Sequence, residues 1–529
     1  MSYLSQLRQL FSIYFSESEL KTICFDLGLD YEMLPGSGKG DRARELISHM
    51  WRNGRLPELV ELGRELRPNL AWPAPDRSPD TELSTPASPG VRTEQPAGLA
   101  STNPFTYGNP ISDPNRFFGR SRAIEQVFNR LRNAEAESSS IVGGRRIGKS
   151  SLLNYLAHPD VRRRYGMDPE RSFFVYVDLQ MVDHQTTPAR LWHRLLTQAE
   201  HQAQQGELAE KLREVLAGNS FDNFTLADLF DVVDRQARHI VFLLDEFENV
   251  TGNPNFDPGF FYGLRSLAIQ HSLSLVTSSQ HELIELTHSQ AVRSSPFFNI
   301  FANINVRLLT AAEAAQLLTA LPAGTGIAFT EEETLTIGEL TGGHPFFMQI
   351  AGHFLFEAYS EYSDASRRRA SWLDAFRREA GPHLAHFWHT AREHQRVTLL
   401  LLALLTRQAT GRPYFEPGDL ENLYSRAGQD LTSLSRLGYV AEEAGQFALF
   451  SRVFADWIVD EVRTTSREQP AARNDEALAS LSDLPASIRR AIAPALAKTG
   501  KQYQNLVAVW LANTHKPEQA VSLLQQSFT

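Results

Sequence analysis

Residues Ser138 to Leu153 read S-S-S-I-V-G-G-R-R-I-G-K-S-S-L-L. Gly143, Gly148, Lys149 and Ser150 stand in the fixed places of the pattern G-x-x-x-x-G-K-[ST]. Residues of these types at this spacing can cradle phosphate. The turn through Gly143, Gly144, Arg145, Arg146, Ile147 and Gly148 would aim backbone N–H groups at anionic oxygens. The helix opened by Lys149, Ser150 and Ser151 would add its positive N-terminal end. Lys149 would bridge the β- and γ-phosphates of a nucleoside triphosphate, and Ser150 would place its hydroxyl on Mg²⁺. A glycine-rich turn before an ordinary helix has the same spelling, so a second element is needed.

That element is an acid at the end of a neighbouring strand. His239 to Glu246 reads H-I-V-F-L-L-D-E. An unbroken apolar run ending in two carboxylates is the pattern of a buried parallel strand that opens onto a site. Asp245 would hold Mg²⁺, and Glu246 would polarise the attacking water as catalytic base. A solvated strand end explains an acidic pair taken alone, but not its company with the phosphate cradle. ATP or ADP with Mg²⁺ are the expected cofactors. Nothing in these residues separates ATP from GTP or points to an arginine finger.

The elements that position these groups follow from periodicity. Ile141 and Val142 end one strand, Ser172–Leu179 reads as a second, and Leu273–Ser279 and Asn303–Leu309 read as two more. Leu191–Gln204 and Leu208–Leu216 read as helices between them. Strands alternating with helices predict a parallel sheet covered on both faces, with ligand at the strand carboxyl ends.

Composition sets the bounds. At 529 residues the chain holds several domains. The net charge of −10, with no long basic run, argues against nucleic acid as the main partner. Cys24 is the only cysteine, which excludes an internal disulfide and fits a reducing cytoplasm. The N-terminus has no signal-peptide core, and no apolar run is long enough to span a membrane.

Residues 1–70 read as a helical bundle, with Leu4, Leu7, Leu10 and Phe11 at helical spacing. Gly36–Lys39 imitates a phosphate loop but lacks a preceding strand, and reads as an inter-helix turn. Residues 71–102 contain six prolines and few large apolar groups, the composition of a flexible linker. A nucleotide-binding core spans 103–310 and a helical lid 311–390, including Ala311–Leu321 and Glu331–Leu340. In 391–465, Val397–Thr406, Pro417–Tyr424 and Asp430–Leu437 precede G-Y-V-A-E-E-A-G-Q-F-A-L-F, a winged-helix pattern. Its acidic wing, Glu442–Glu443, and sparse arginines suit an intramolecular lid better than a DNA reader. His383, His386, His389 and His394 lack a carboxylate or cysteine at ligand spacing, so they do not read as a metal site. Residues 466–529 read as a small helical domain of unknown role, and no repeat of fixed period is visible.

Two resemblances add to this reading. F-S-E-S-E-L-K-T-I-C-F-D-L-G-L-D-Y and G-K-G-D-R-A-R-E-L-I resemble the death-fold-like, effector-associated domains of bacterial conflict systems. Such domains are non-catalytic and pair with a like domain on a protease, a TIR enzyme or another effector. Residues 103–465 resemble the STAND branch of AAA-related P-loop NTPases. That resemblance implies that Phe118, Gly119 and Arg120 of R-F-F-G-R lie near the adenine. It implies a γ-phosphate sensor at Ser279 or Thr277, with Gln280 where many relatives carry arginine. It also implies that T-G-G-H-P, through His344 and Pro345, touches the base from the lid.

The expected protein is thus a multidomain chain: an N-terminal α-helical bundle, a central α/β P-loop NTPase, a helical lid with a winged helix, and a C-terminal helical domain. The resemblance implies a slow ATPase that acts as a signalling switch, oligomerises on a stimulus and recruits an effector, in bacterial or antiviral defence. An AAA-type remodeller and an ATP-dependent DNA-binding regulator are the rival readings.

Overall fold

The computed structural model describes residues 102–408 except 288, 294 and 295, then 413–416 and 427–468, with scattered positions between 7 and 72. The chain divides into two units, Met1–Pro96 and Ala97–Thr529. The expected turn at Gly36–Lys39, the linker beyond Trp72, the helix Pro417–Tyr424 and the domain 469–529 lie outside the described residues.

In the first unit, helices α1 (Glu17–Asp26) and α2 (Leu56–Leu66) flank a core of Leu7, Phe11, Leu20, Ile23, Leu46, Ile47 and Leu59. Cys24 is buried in it. Trp72, which composition assigns to the linker, belongs to the folded unit. Its ring stands edge-on to Phe11 at 5.7 Å, and its indole N–H donates to the Arg67 carbonyl at 3.1 Å. Gly63 leaves the room for it, since a Cβ there would lie 2.4 Å from the indole.

The second unit is built on a parallel five-stranded sheet in the order β2-β3-β4-β1-β5. The strands are β1 (Ser138–Val142), β2 (Ser172–Asp178), β3 (His239–Asp245), β4 (Leu273–Ser279) and β5 (Phe301–Asn305). Both faces are covered, which is why β3 is apolar without alternation. Ile240, Phe242 and Leu244 pack on one face beneath α5 (Pro188–Ala203), α6 (Glu207–Gly218), α7 (Asn223–Arg235) and α8 (Pro258–Gln270). Val241 and Leu243 pack on the other, beneath α3 (Ser121–Leu131) and α4 (Lys149–Ala157). The order sets β4 between β1 and β3, with Val142 beside Ser279 and Leu244 beside Thr277. The hydroxyl-rich end of β4 therefore lies between the phosphate loop and Asp245.

β5 begins and ends earlier than the apolar run Asn303–Leu309 suggests. Val306 still donates its N–H to the Val142 carbonyl at 2.8 Å, but Leu309 donates to Gly343 at 2.8 Å, inside the lid. The second half of the run belongs to a different core.

That core is shared by everything that follows. Helices α9 (Ala311–Ala320) and α10 (Glu331–Thr341) each begin with a capping box, Thr310 with Glu313 and Thr330 with Glu333. α11 (Pro345–Glu361) and α12 (Ala365–Thr390) complete the lid. α13 (Glu393–Gln408), α14 (Ala427–Arg436), an antiparallel hairpin of β6 (Val440–Glu443) and β7 (Gln446–Leu449), and α15 (Arg452–Glu468) form a hairpin module. Phe347 and Trp372 of the lid pack in one cluster with Leu402, Leu434, Phe450 and Phe454 of the module and Phe105 of the leading segment. The acidic hairpin faces the same chain, with Glu442 of β6 paired with Arg307 at 3.2 Å, and Arg436 of α14 pairs with Glu282 at 2.8 Å. Among the described residues, no helix is long and apolar enough to cross a membrane.

Candidate nucleotide site

The phosphate loop leaves β1 and enters α4 through two left-handed residues, Arg146 (φ +61°) and Gly148 (φ +98°). Gly143 donates its N–H to Ser279 at 3.2 Å, and a Cβ there would meet the Val306 carbonyl at 2.8 Å. At Gly144 a Cβ would lie 1.9 Å from the carbonyl oxygen of Leu437. The loop is thus pressed backbone to backbone against the hairpin module.

Lys149 is 8% exposed, and its ammonium donates to the carbonyls of Gly143 (2.8 Å) and Gly144 (2.9 Å). Burial pushes its pKa down, against the charges of Glu248, Asp245 and Glu246. A buried cation whose hydrogen bonds reach only loop carbonyls is poised for an anion. It shares a cavity of about 250 Å³ with Ser150, Asp245 and Glu246. Phe117, Phe118, Leu309, Leu317, Pro345 and Phe346 give the same cavity its apolar lining, suited to a base.

Asp245 is 2% exposed and closes β3. Ser278 donates its hydroxyl to one carboxylate oxygen, and Tyr176 of β2 donates its phenol to the other at 3.0 Å. Glu246 turns out of the strand at φ +53°, its N–H donating to the Ser278 hydroxyl at 3.2 Å. Burial raises the Glu246 pKa, reinforced by Asp245 and Asp178 and opposed by Lys149 and Arg145, so it is a stronger base than a free carboxylate. Asp245 and the Ser150 hydroxyl in one pocket with Lys149 fit a magnesium nucleotide: hard oxygen ligands beside a phosphate-binding cation.

Of the residues expected from sequence, Phe118, Arg120, Arg145, Arg146, Ile147, Gly148, Lys149, Ser150, Ser151, Asp245, Glu246 and Pro345 line the cavity. Arg120 does so as a clamp. Its guanidinium donates to the carbonyls of Arg307 and Ile147, its backbone N–H donates to Glu313 at 2.7 Å, and burial lowers its pKa to about 10. The Ser151 hydroxyl accepts the Ile111 N–H at 3.0 Å and so anchors the segment that crosses the pocket. Gly119, Gly143 and Gly144 are absent from the lining. They are points of close backbone packing, Gly119 against Glu313.

Ser279 and His344 stand elsewhere than expected. The Ser279 hydroxyl is spent on the His281 carbonyl at 2.6 Å, and the Thr277 hydroxyl is buried in the sheet. Ser278 is the β4 hydroxyl at Asp245. His344 is fully buried among Phe347, Phe387 and Phe450, at ring separations of 5.0, 5.7 and 5.6 Å. Burial, then the charges of Arg120 and Arg146, hold its pKa near 3, so it is a neutral core ring behind Pro345. His383 and His386 meet the phosphate loop: Arg146 lies 2.9 Å from His383, and Arg145 lies 2.9 Å from His386. Burial, followed by the two arginines, keeps the His386 pKa low, as suits an imidazole accepting an arginine N–H.

Sequence reasoning missed Tyr176, Ser278 and Glu248. Glu248 accepts the Gln280 N–H at 3.1 Å, and burial raises its pKa. The spelling D-E-F-E signalled it. It also missed the pocket-crossing segment Thr106–Ile111, signalled by the prolines and glycine of N-P-F-T-Y-G-N-P-I.

No curated protein matches the chain. Among solved structures, the Walker-type ATPase PABY2304 of Pyrococcus abyssi is similar at 14% identity and TM-score 0.43, over 66% of this chain and 98% of that one. The Aeropyrum pernix ORC2 protein, solved as ADPNP–ADP complexes, is similar at 13% identity and TM-score 0.43, over 68% of this chain and 98% of its own. Effector-associated domain 7 matches residues 7–68. The family Novel STAND NTPase 2 matches residues 132–403, just over half of the chain and the whole span from phosphate loop to lid, and the chain belongs to that family.

Proposed function

We propose that this protein is an ATP-controlled signalling switch whose N-terminal domain recruits an effector when several copies assemble. The observation that carries the reading is one cavity joining Lys149, Ser150, Asp245 and Glu246 beneath a lid, in a chain that begins with an effector-associated domain. Lys149 and the N-terminal end of α4 hold the phosphates, while Phe118 and Pro345 flank the base. Mg²⁺, held by Ser150 and Asp245, supplies charge neutralisation at the phosphates. Glu246 takes the proton of the attacking water. The contacts of the hairpin module with Gly144, Arg307 and Glu282 support a closed resting state. ATP then favours release of the module, assembly into a homo-oligomer, and signalling in a conflict or defence pathway.

Glu246→Gln is expected to keep ATP bound and slow its hydrolysis by about 100-fold or more, the scale of a lost general base. Single-turnover hydrolysis beside equilibrium ATP binding checks this. Hydrolysis at the parental rate would remove Glu246 from the role. Because the Glu246 pKa is raised, its base form is lost as pH falls through that elevated value. Hydrolysis should therefore decline at a higher pH than for an unperturbed glutamate.

The reading as a whole is tested by assembly. Clustered copies then present their first domains at high local concentration, and weak contacts become avid. The full chain should capture an effector-domain partner far more tightly with a non-hydrolysable ATP analogue and the stimulus than residues 1–72 do alone. The measurements are pull-down and size-exclusion mass. A chain that stays monomeric in every nucleotide state yet fully activates its effector would leave a one-to-one adaptor instead.

A further inference from the structure

The carboxylate of Asp245 is gripped from both sides by hydroxyls on different strands. From β4, Ser278 donates to one oxygen, and the same hydroxyl accepts the backbone N–H of Glu246 at 3.2 Å. From β2, Tyr176 donates to the second oxygen at 3.0 Å. The register explains the reach: Asp178 lies beside Asp245, so Tyr176 stands opposite Leu243 and its ring extends along the strand toward the site. The phenol O–H is the donor in this pair, because a carboxylate oxygen accepts. An ionised carboxylate offers about four lone-pair positions. Two are held by these hydroxyls, which leaves the others for the cavity that Asp245 lines.

We propose that Tyr176 is a positioning residue for the metal-binding carboxylate: with Ser278 it fixes the plane of Asp245 and thereby sets the metal affinity of the nucleotide complex. The proposal rests on the nucleotide reading of the site. Two physical effects act together. A carboxylate clamped at both oxygens loses no rotational freedom when it meets the metal shell. The two donors also decide which of its lone pairs stay free for the metal. Partners behind metal ligands commonly set affinity by about 10–100-fold. Ser278 has a second role that Tyr176 lacks, because it also ties down the backbone of Glu246.

The test uses the full chain saturated with ADP and titrated with Mn²⁺, read by electron paramagnetic resonance of free Mn²⁺. Tyr176→Phe keeps the ring and removes only the hydroxyl. It is expected to weaken Mn²⁺ binding about 10-fold while leaving metal-free ADP affinity within about two-fold. Ser278→Ala should weaken Mn²⁺ similarly and slow single-turnover hydrolysis further, and Ser278→Thr should restore both. Wild-type Mn²⁺ affinity in Tyr176→Phe would overturn the proposal. So would a parallel loss of metal-free ADP binding, which marks a merely structural ring. If the wild-type chain binds no ADP, or binds no Mn²⁺ in its presence, the nucleotide reading itself fails, a different result from either.

Discussion

Lys149→Ala should abolish nucleotide binding and leave the fold intact. The ammonium is buried, makes its hydrogen bonds to two loop carbonyls, and among the described residues is the only lysine lining the cavity. Hydrogen bonds to charged groups contribute about 1.5–3 kcal/mol each. Losing two phosphate contacts of that kind weakens affinity by about 100-fold or more. The fold does not depend on the cation, because burial already disfavours its charge. The variant's melting temperature without nucleotide should therefore match or exceed the parent's, and the increment that ATP adds to the parent should vanish. Fluorescent-nucleotide titration and thermal melts give both numbers. Retained micromolar affinity would remove the phosphate-loop assignment.

Gly144→Ala should release the hairpin module. The added methyl would lie 1.9 Å from the Leu437 oxygen and 2.7 Å from its carbonyl carbon. Both partners are backbone, so no rotamer relieves the clash. Overpacking of this sort costs about 1–3 kcal/mol. If that cost falls on the closed arrangement, amides of α14 and β6 should exchange about 10- to 100-fold faster. Hydrogen exchange mapped over residues 427–461 measures it. Unchanged exchange at those amides, with ATP binding also unchanged, would mean that the contact is not held in solution. A released module together with spontaneous oligomers would tie the closed state to silence.

The reach of the sequence is clearest where one residue type serves one purpose. The glycines and lysine of the phosphate loop and the apolar run into Asp245 were legible, because phosphate chemistry and double-sided burial leave few alternatives. The β4 hydroxyls were not. Successive strand residues point to opposite faces, and only the strand order says which serine meets Asp245. Leu308 and Leu309 misled because an apolar run announces burial but not in which core. The spelling G-H-P was visible, whereas the fate of His344 depends on Phe387 and Phe450, distant in sequence. Tyr176 looked like another buried strand aromatic, since its phenol partner arrives only when β2 pairs with β3.

The lid and the hairpin module share one hydrophobic core, and this limits how the molecule can open. Among the described residues, the chain passes between that body and the sheet at two places, the segment from Phe105 to Ile111 and the segment from Asn305 to Leu309. A solid body fastened at two points turns about the line through them, as a door does on its hinges. Each fastening is short and anchored on the sheet side, at Ser151 and Val142 respectively. An opening of that kind would have a single axis. In such a swing Pro345, at the pocket's edge, and α15, packed in the same core, would travel along the same arc.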